Sequence, residues 1–317
     1  VMQTLSVIDR DIFHTRDHLM SVLKNKNEKR NNMAMDEKEL KSRGFLKQIQ
    51  DQRYSLRIKI VGGQVTAKQL NSVYKLAKKY GNGAVHLTAR QSIEVPFIKE
   101  DEIDAVLEFL AQEKMEPAST GPKVRTITAC QGNGVCQSGL IDTALLAREL
   151  DERFGGRPVP HKFKLGITGC RNNCLKAEEN DIGIKGAMVP AWTGENCTYC
   201  GLCQKLCPAD AILVDQPNRQ LSFRKENCLS CGRCLKKCPR SSWQGESGFV
   251  LYFGGLYGNR IVIGRQLLPV IHSKEKLFQI IEAALQLFDQ YGNKGERFST
   301  MLDRIGWDML NEKVKDL

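Results

Sequence analysis

No stretch of the chain approaches the about 20 consecutive apolar residues that a membrane-spanning helix needs, so no membrane span is expected. An export signal would place an apolar core near the start; Asp9, Arg10, Asp11 and His14 stand there instead, and the expected location is the cytoplasm. Aromatic residues make up only 7% of the chain and few of them accompany basic residues. With no helix-turn-helix or RNA-recognition signature either, the net charge of +11 does not point to nucleic acid. An anionic cofactor and an anionic small substrate account for that excess more simply. A Gly-x-Gly-x-x-Gly run after a strand is also missing: Gly132-Asn133-Gly134 lacks the third glycine and is interrupted by cysteine. No internal nicotinamide or flavin site is expected, so electrons for any redox chemistry must come from a separate ferredoxin or flavoprotein.

Cysteine, by contrast, is abundant. Without an export signal, twelve cysteines argue for metal ligation rather than disulfides, and they divide into three groups of four. Two groups lie in Cys197-x2-Cys200-x2-Cys203-x3-Cys207-Pro208 and Cys228-x2-Cys231-x2-Cys234-x3-Cys238-Pro239. This is the spacing of bacterial two-cluster ferredoxins, in which each fourth cysteine serves the other cluster. One [4Fe–4S] cube is therefore expected on Cys197, Cys200, Cys203 and Cys238, and the other on Cys228, Cys231, Cys234 and Cys207. A pair of zinc sites would use the Cys-x2-Cys spacings but leave the x3-Cys-Pro repeats unexplained.

The third group is Cys130, Cys136, Cys170 and Cys174. Each pair follows an extended apolar run, Val124 to Ala129 and Phe163 to Thr168, and each is expected to lead into a helix. Strand ends lying side by side would gather four thiolates, which suits a third [4Fe–4S] cube; four buried thiols or an isolated structural cluster is the alternative. Gly132 and Gly134 would let backbone approach such a core.

With 317 residues, 41% hydrophobic and 26% charged, the chain reads as a soluble globular protein of two or three domains and of α+β (α/β) class. Residues 1–35, with the polar run Asn25 to Asn32, are expected to be a dispensable extension or linker, as from a start codon placed too far upstream. Residues 36–116 read strand, helix, strand, strand, helix, with Thr66 as an N-cap and Leu70, Val73, Tyr74 and Ala77 on one helix face. Residues 117–190 carry the cysteine quartet and are expected to resume at 244–317, which hold a strand at Phe249 to Phe253 and a long helix from Lys274 to Tyr291. The cysteine-dense residues 191–243 are an insert between these two pieces.

Several basic residues sit two apart in extended segments and so share a face: Arg57 with Lys59, His86 with Thr88 and Arg90, and Lys162 with Lys164. The plain reading of each is the wet side of a half-buried strand.

These motifs together resemble the siroheme- and iron–sulfur-containing sulfite and nitrite reductases. The likeness rests on Leu56 to Gly63, Leu87-Thr88-Ala89-Arg90-Gln91, Val124 to Cys130, Leu140-Ile141-Asp142-Thr143, His161 to Lys164, Thr168 to Cys174 and Asp181 to Ile184. Within the family it is similar to the short anaerobic and dissimilatory-type sulfite reductases, in particular the siroheme subunit of the anaerobic enzyme. The resemblance implies that Cys174 is both a cluster ligand and the axial ligand of a siroheme iron, with Asn172 near the cofactor. It implies that Arg57, Lys162 and Lys164 surround the substrate, that Thr88 and Arg90 hold siroheme carboxylates, and that Arg125 lies nearby.

Three positions depart from the family pattern: His86 replaces a common arginine, Glu94 a common glutamine, and Gly134 a substrate-binding arginine of the long members. Long members also hold two copies of this unit, whereas this chain has one. A homodimer, or assembly with a related subunit, is expected to complete the site. The reaction implied is six-electron reduction of sulfite to sulfide. Nitrite reduction to ammonia and a non-catalytic electron carrier or redox sensor are the alternatives.

Overall fold

The computed structural model describes residues 37–317, so the reading of residues 1–35 lies outside the described residues. By internal contacts the chain divides into Val1–Leu40 and Lys41–Leu317. Of the first unit, only the start of helix α1 (Glu37–Ser42) is described.

The second unit opens with an antiparallel sheet of β1 (Phe45–Lys47), β2 (Arg53–Ile58), β3 (His86–Leu87) and β4 (Ile93–Lys99), in the order β1-β2-β4-β3. β2 alternates, burying Tyr54, Leu56 and Ile58 and turning Arg57 the other way. Between β2 and β3 runs α2 (Ala67–Tyr80), and after β4 comes α3 (Ile103–Gln112). Thr66 starts α2 with a capping box: its hydroxyl accepts from Gln69 N, and the Gln69 side chain accepts from Thr66 N. The buried stripe of α2 is a correction, being Ser72, Val73, Leu76, Ala77 and Tyr80, with Leu70 and Tyr74 exposed. Two overlapping i, i+3, i+4, i+7 sets share Val73 and Ala77. The helix turns inward the one whose Tyr80 ring meets Phe109, with centroids 6.3 Å apart.

The face expected to join His86, Thr88 and Arg90 also fails. β3 stops at Leu87, and Thr88 to Ser92 form a tight turn in which Thr88 N donates to Ser92 O (2.9 Å) and Ser92 N to Thr88 Oγ1 (3.0 Å).

A second sheet begins with β5 (Thr128–Ala129), crosses through α4 (Thr143–Phe154) to β6 (Leu165–Thr168), and continues into β7 (Ile182–Trp192). These three strands are parallel. Asp142 caps α4 by accepting from Leu145 N at 2.9 Å. No α-helix directly follows Cys174, contrary to expectation. Asn173 and Lys176 both take left-handed backbone (φ 57 and 54), so the loop coils into a 3-10 turn, Ala177–Glu179, and runs straight into β7.

Residues 193–242 then form α5 (Leu202–Leu206), the hairpin β8 (Ile212–Asp215) with β9 (Gln220–Phe223), and α6 (Arg233–Lys237). The chain returns as β10 (Trp243–Phe253), which pairs antiparallel with β7 from Trp243↔Trp192 to Phe253↔Ile182 and so starts earlier than the hydrophobic run from Phe249 suggests. Helices α7 (Lys274–Tyr291), α8 (Phe298–Ile305) and α9 (Trp307–Lys315) cover the sheet. Phe163, Phe288 and Phe298 interlock at its centre with ring centroids 5.1–5.7 Å apart. Among the described residues no helix is long and apolar enough to cross a membrane.

Candidate functional site

Parallel pairing sets Ala129 beside Ile167, so the chain leaves the sheet at the same edge after β5 and after β6. Cys130 N donates to Ile167 O at 3.0 Å, and Gly169 N donates to Cys130 Sγ at 3.0 Å. The two loops stack closely enough that a Cβ on Gly169 would stand 3.0 Å from Gly132 Cα, and Gly132 itself takes left-handed backbone (φ +63). All four quartet thiols converge there. Burial pushes the Cys170 thiol up, and the neighbouring Cys136, Cys130 and Cys174 add to the shift. A metal that takes these sulfurs as thiolates displaces their protons. The four cysteines line a cavity of about 1090 Å³ together with Gly62, Gly63, Gln91 and Asn172. Gln91 fixes the cavity wall by bonding Ala129 through both of its amide atoms (2.8 and 2.9 Å).

In residues 193–242, Cys197, Cys200, Cys203 and Cys238 line one small cavity. Cys207, Cys228, Cys231 and Cys234 line a second, and Cys203 touches both. Backbone N–H groups face the sulfurs: Ala211 N to Cys207, Ser230 N to Cys228 and Ser242 N to Cys238, at 3.3–3.4 Å. Such donors favour thiolate and tune a bound cluster. Burial pushes Cys234 up to about 12, while Cys238 is held down despite burial by hydrogen bonds from the backbone of Arg240 and Ser242. Among the described residues, no three His, Cys, Asp or Glu side chains are placed to hold a single metal ion. The donor sets are all sulfur and open around cavities, which suits clusters.

A second constellation gathers Arg57, Arg90, Arg125, Lys162, Lys164 and Arg297 around the buried Asp181. Arg297 Nη2 reaches both Asp181 oxygens (2.9 and 2.8 Å), and Lys164 N donates to Asp181 Oδ2 at 2.8 Å. Arg90 donates to Asn180 Oδ1 (3.1 Å) and Thr126 O (3.0 Å), and Arg125 to Ser119 O (3.2 Å). Arg57 pairs with Glu94 through Nε (2.7 Å) and Nη2 (2.5 Å). Burial, reinforced by the other cations, pulls Arg90 and Arg125 down to about 10 and Lys164 down to about 8. Two carboxylates face six cations here, and Nε of Arg125 and of Arg297 is buried with no partner. Buried unpaired donors amid uncompensated positive charge fit a polyanion.

The structure thus brings the cysteines together and the cations together, but at opposite ends of the parallel strands. Lys164 precedes β6 and Cys170 follows it, a span of about 20 Å for six extended residues. Asn172 lies with the cysteines. Thr88 lies in its turn, its hydroxyl accepting from Ser92 N. Sequence reasoning missed Arg297, whose partner Asp181 lies 116 positions away, and it treated Asp181 only as part of a motif. It also missed Gln91 as the brace behind the quartet.

Residues 47–113 match the nitrite/sulfite reductase ferredoxin-like half domain, and residues 120–317 match the nitrite and sulphite reductase 4Fe-4S domain. The coenzyme F420-dependent sulfite reductase of Methanocaldococcus jannaschii is 34% identical over 84% of this chain and 43% of its own length. An anaerobic sulfite reductase subunit of Salmonella typhimurium is 36% identical over 49% of this chain and 50% of its own. The chain therefore spans about half or less of the length of these two relatives. In fold it resembles the crystal structure of dissimilatory sulfite reductase I, with a TM-score of 0.68 over 83% of this chain and 69% of that one, at 20% identity. A cysteine quartet at the ends of paired parallel strands, set in a chain matched along most of its described length, places this protein in the nitrite and sulphite reductase 4Fe-4S family.

Proposed function

We propose that the chain reduces sulfite to sulfide with siroheme and three [4Fe–4S] clusters. The observation that carries this reading is the convergence of Cys130, Cys136, Cys170 and Cys174 on a cavity of about 1090 Å³, a little larger than the roughly 300–1,000 Å³ usual for ligand and cofactor sites. Cys130, Cys136, Cys170 and Cys174 would hold one cluster, with Cys174 shared by the siroheme iron and Asn172 beside it. The remaining cysteines would hold two clusters in a ferredoxin-like insert, residues 191–243, within a domain made of 117–190 and 244–317; residues 36–116 form the half-domain before it. When bound, siroheme and the clusters supply the iron at which the oxyanion is reduced and the electrons that reduce it.

The protein's own part is electrostatic and protonic. Arg90, Arg125 and Thr88 seat the carboxylates of the cofactor, where the unpartnered Nε of Arg125 awaits an acceptor. Arg57, Lys162 and Lys164 draw in the anion. Lys164, pulled down to about 8 by burial first and then by Arg90 and Arg297, can release a proton at Nζ near neutral pH as sulfite oxygens leave as water. Because cations and cysteines lie at opposite ends of the sheet, the cations of one copy serve the siroheme on Cys174 of a second. Electrons come from an external ferredoxin or flavoprotein.

The test is sulfide release from sulfite by the reconstituted full chain with a reduced low-potential dye, beside ammonia release from nitrite. We expect siroheme absorption, sulfide as the faster product, and a loss of about 100-fold or more in kcat for Lys164→Ala. Faster ammonia release makes nitrite the substrate. Clusters without siroheme or either product reduce the chain to an electron carrier.

A further inference from the structure

Residues 193–242 are tied to the loops of the quartet by a short series of contacts. Met188 N in β7 donates to Ser230 O at 2.8 Å, and Cys231 bridges Met188 in parallel fashion. Gly232 (φ +67) turns the chain into α6 directly over Met188, so close that a Cβ would stand 2.9 Å from Met188 Cβ and 3.5 Å from Leu140 Cδ2. One turn further, Lys236 Nζ donates to Gln137 O (2.9 Å) and Gly139 O (2.8 Å), the loop that directly follows Cys136. On the other side, Gly186 in β7 packs against Gly169, the neighbour of Cys170, so closely that a Cβ there would lie 2.3 Å from Gly169 O. Cys231 and Cys234 therefore sit on the elements that abut the quartet. The Cys197/Cys200/Cys203/Cys238 cavity is walled instead by Tyr199, Leu221 and Arg240, and Cys203 joins it to the other group.

We propose that the two cysteine groups of residues 193–242 work in series, with Cys207/Cys228/Cys231/Cys234 as the inner group against the quartet. The outer group is Cys197/Cys200/Cys203/Cys238, and Lys236 is the positioning residue that holds the inner group in place. This rests on the three-cluster reading above. In each transfer one electron leaves the inner group and one arrives at the quartet; no bond forms or breaks and no proton moves. The reductant is a one-electron, low-potential donor outside the chain that reduces the outer group. Lys236 lies on the surface, so its two charge-assisted bonds shift the docked-to-undocked ratio by about tenfold rather than by orders of magnitude.

The experiment compares the reconstituted full chain with Lys236→Met and Lys236→Arg, all at equal iron content and visible absorption. Freeze-quench electron paramagnetic resonance after mixing with a reduced dye follows the signal as it passes to the quartet, and hydrogen exchange reads the amides of residues 137–140. Lys236→Met should slow the passage and speed the exchange by about tenfold each, and Lys236→Arg should restore both, because a guanidinium can reach the same carbonyls. Equal transfer rates in wild type and Lys236→Met overturn the proposal. If Cys170→Ala, which leaves no ligand at that position, keeps the iron content unchanged, the quartet holds no cluster and the three-cluster reading falls. The docking role of Lys236 is then decided by exchange: faster exchange in Lys236→Met upholds it, and unchanged exchange rejects it.

Discussion

On the proposed reading, the chemistry of the cation group turns on Lys164. Its ammonium is pressed by burial first and then by Arg90, Arg297 and Lys162, with the Asp181 carboxyl pulling the other way, and the balance brings it to about 8. A lowered lysine value means that the charged form, the one that attracts an anion, is lost as pH rises through about 8. Sulfite affinity should therefore fall across that pH, and titration of Lys164→Arg should remove the inflection because a guanidinium stays charged. A wild-type affinity that stays flat from pH 7 to 9 would contradict this. The eight cysteines of residues 197–238 were legible in the sequence from their spacing, and the quartet from its place at two strand ends together with the resemblance. From the residues alone, Arg57, Arg90, Lys162 and Lys164 were legible only as faces of strands, and it took the family resemblance to point to them, and to Arg125, as site residues. Nothing local announces that Arg297 meets Asp181, since that pair is made by packing α8 against the start of β7. Likewise Arg57 and Lys59, two apart in sequence, answer to different partners: Glu94 for the first, Asp151 (2.8 Å) and Glu116 (3.1 Å) for the second.

At the scale of elements, the quartet depends on how closely β7 approaches the loop after β6. Gly186 has ordinary backbone angles, but an added Cβ would meet Gly169 O at 2.3 Å and Ile141 Cγ1 at 3.0 Å. Gly186→Ala should cost about 1–3 kcal/mol through overpacking and lower iron at the quartet while the other two groups stay loaded. Gly134→Ala, at a position with nothing within 4 Å, should leave both iron and stability within about 0.5 kcal/mol of wild type. Thermal melts and iron per chain decide both. Strands and long helices were legible here from period and caps: the helix Lys274–Tyr291 has the bounds that its pattern gives, and Leu277, Ile280, Ile281, Ala284 and Leu285 are all buried. The segment after Cys174 was not legible, because its shape comes from left-handed residues and a side-chain network. In that network Asn173 bonds Glu178 at 2.6 Å, and Glu178 in turn pairs with the buried Lys185.

For the whole molecule, the separation of cations from cysteines is the feature with the most consequences. If two copies complete each other's site in a symmetric dimer, mixing a Cys174→Ser chain with a Lys162→Ala chain creates one intact site per mixed dimer. With random pairing, about a quarter of wild-type turnover should return, and dye-linked assays of the mixture measure it. No recovery in isolated mixed dimers would place both functions within one chain. The overall architecture was legible because parallel strands that end on cysteine pairs admit few arrangements. The relative placement of the two constellations was anticipated only through the resemblance, as a site that a second copy completes, since it follows from strand direction rather than from any motif.

β7 and β10 remain zipped up to Trp192 and Trp243, so the 50 residues between them leave and rejoin the sheet about 5 Å apart. A tight turn could bridge the same gap. The cysteine-rich piece is thus a cassette that leaves and re-enters through one hairpin, and its length can change while the scaffold beneath keeps its register.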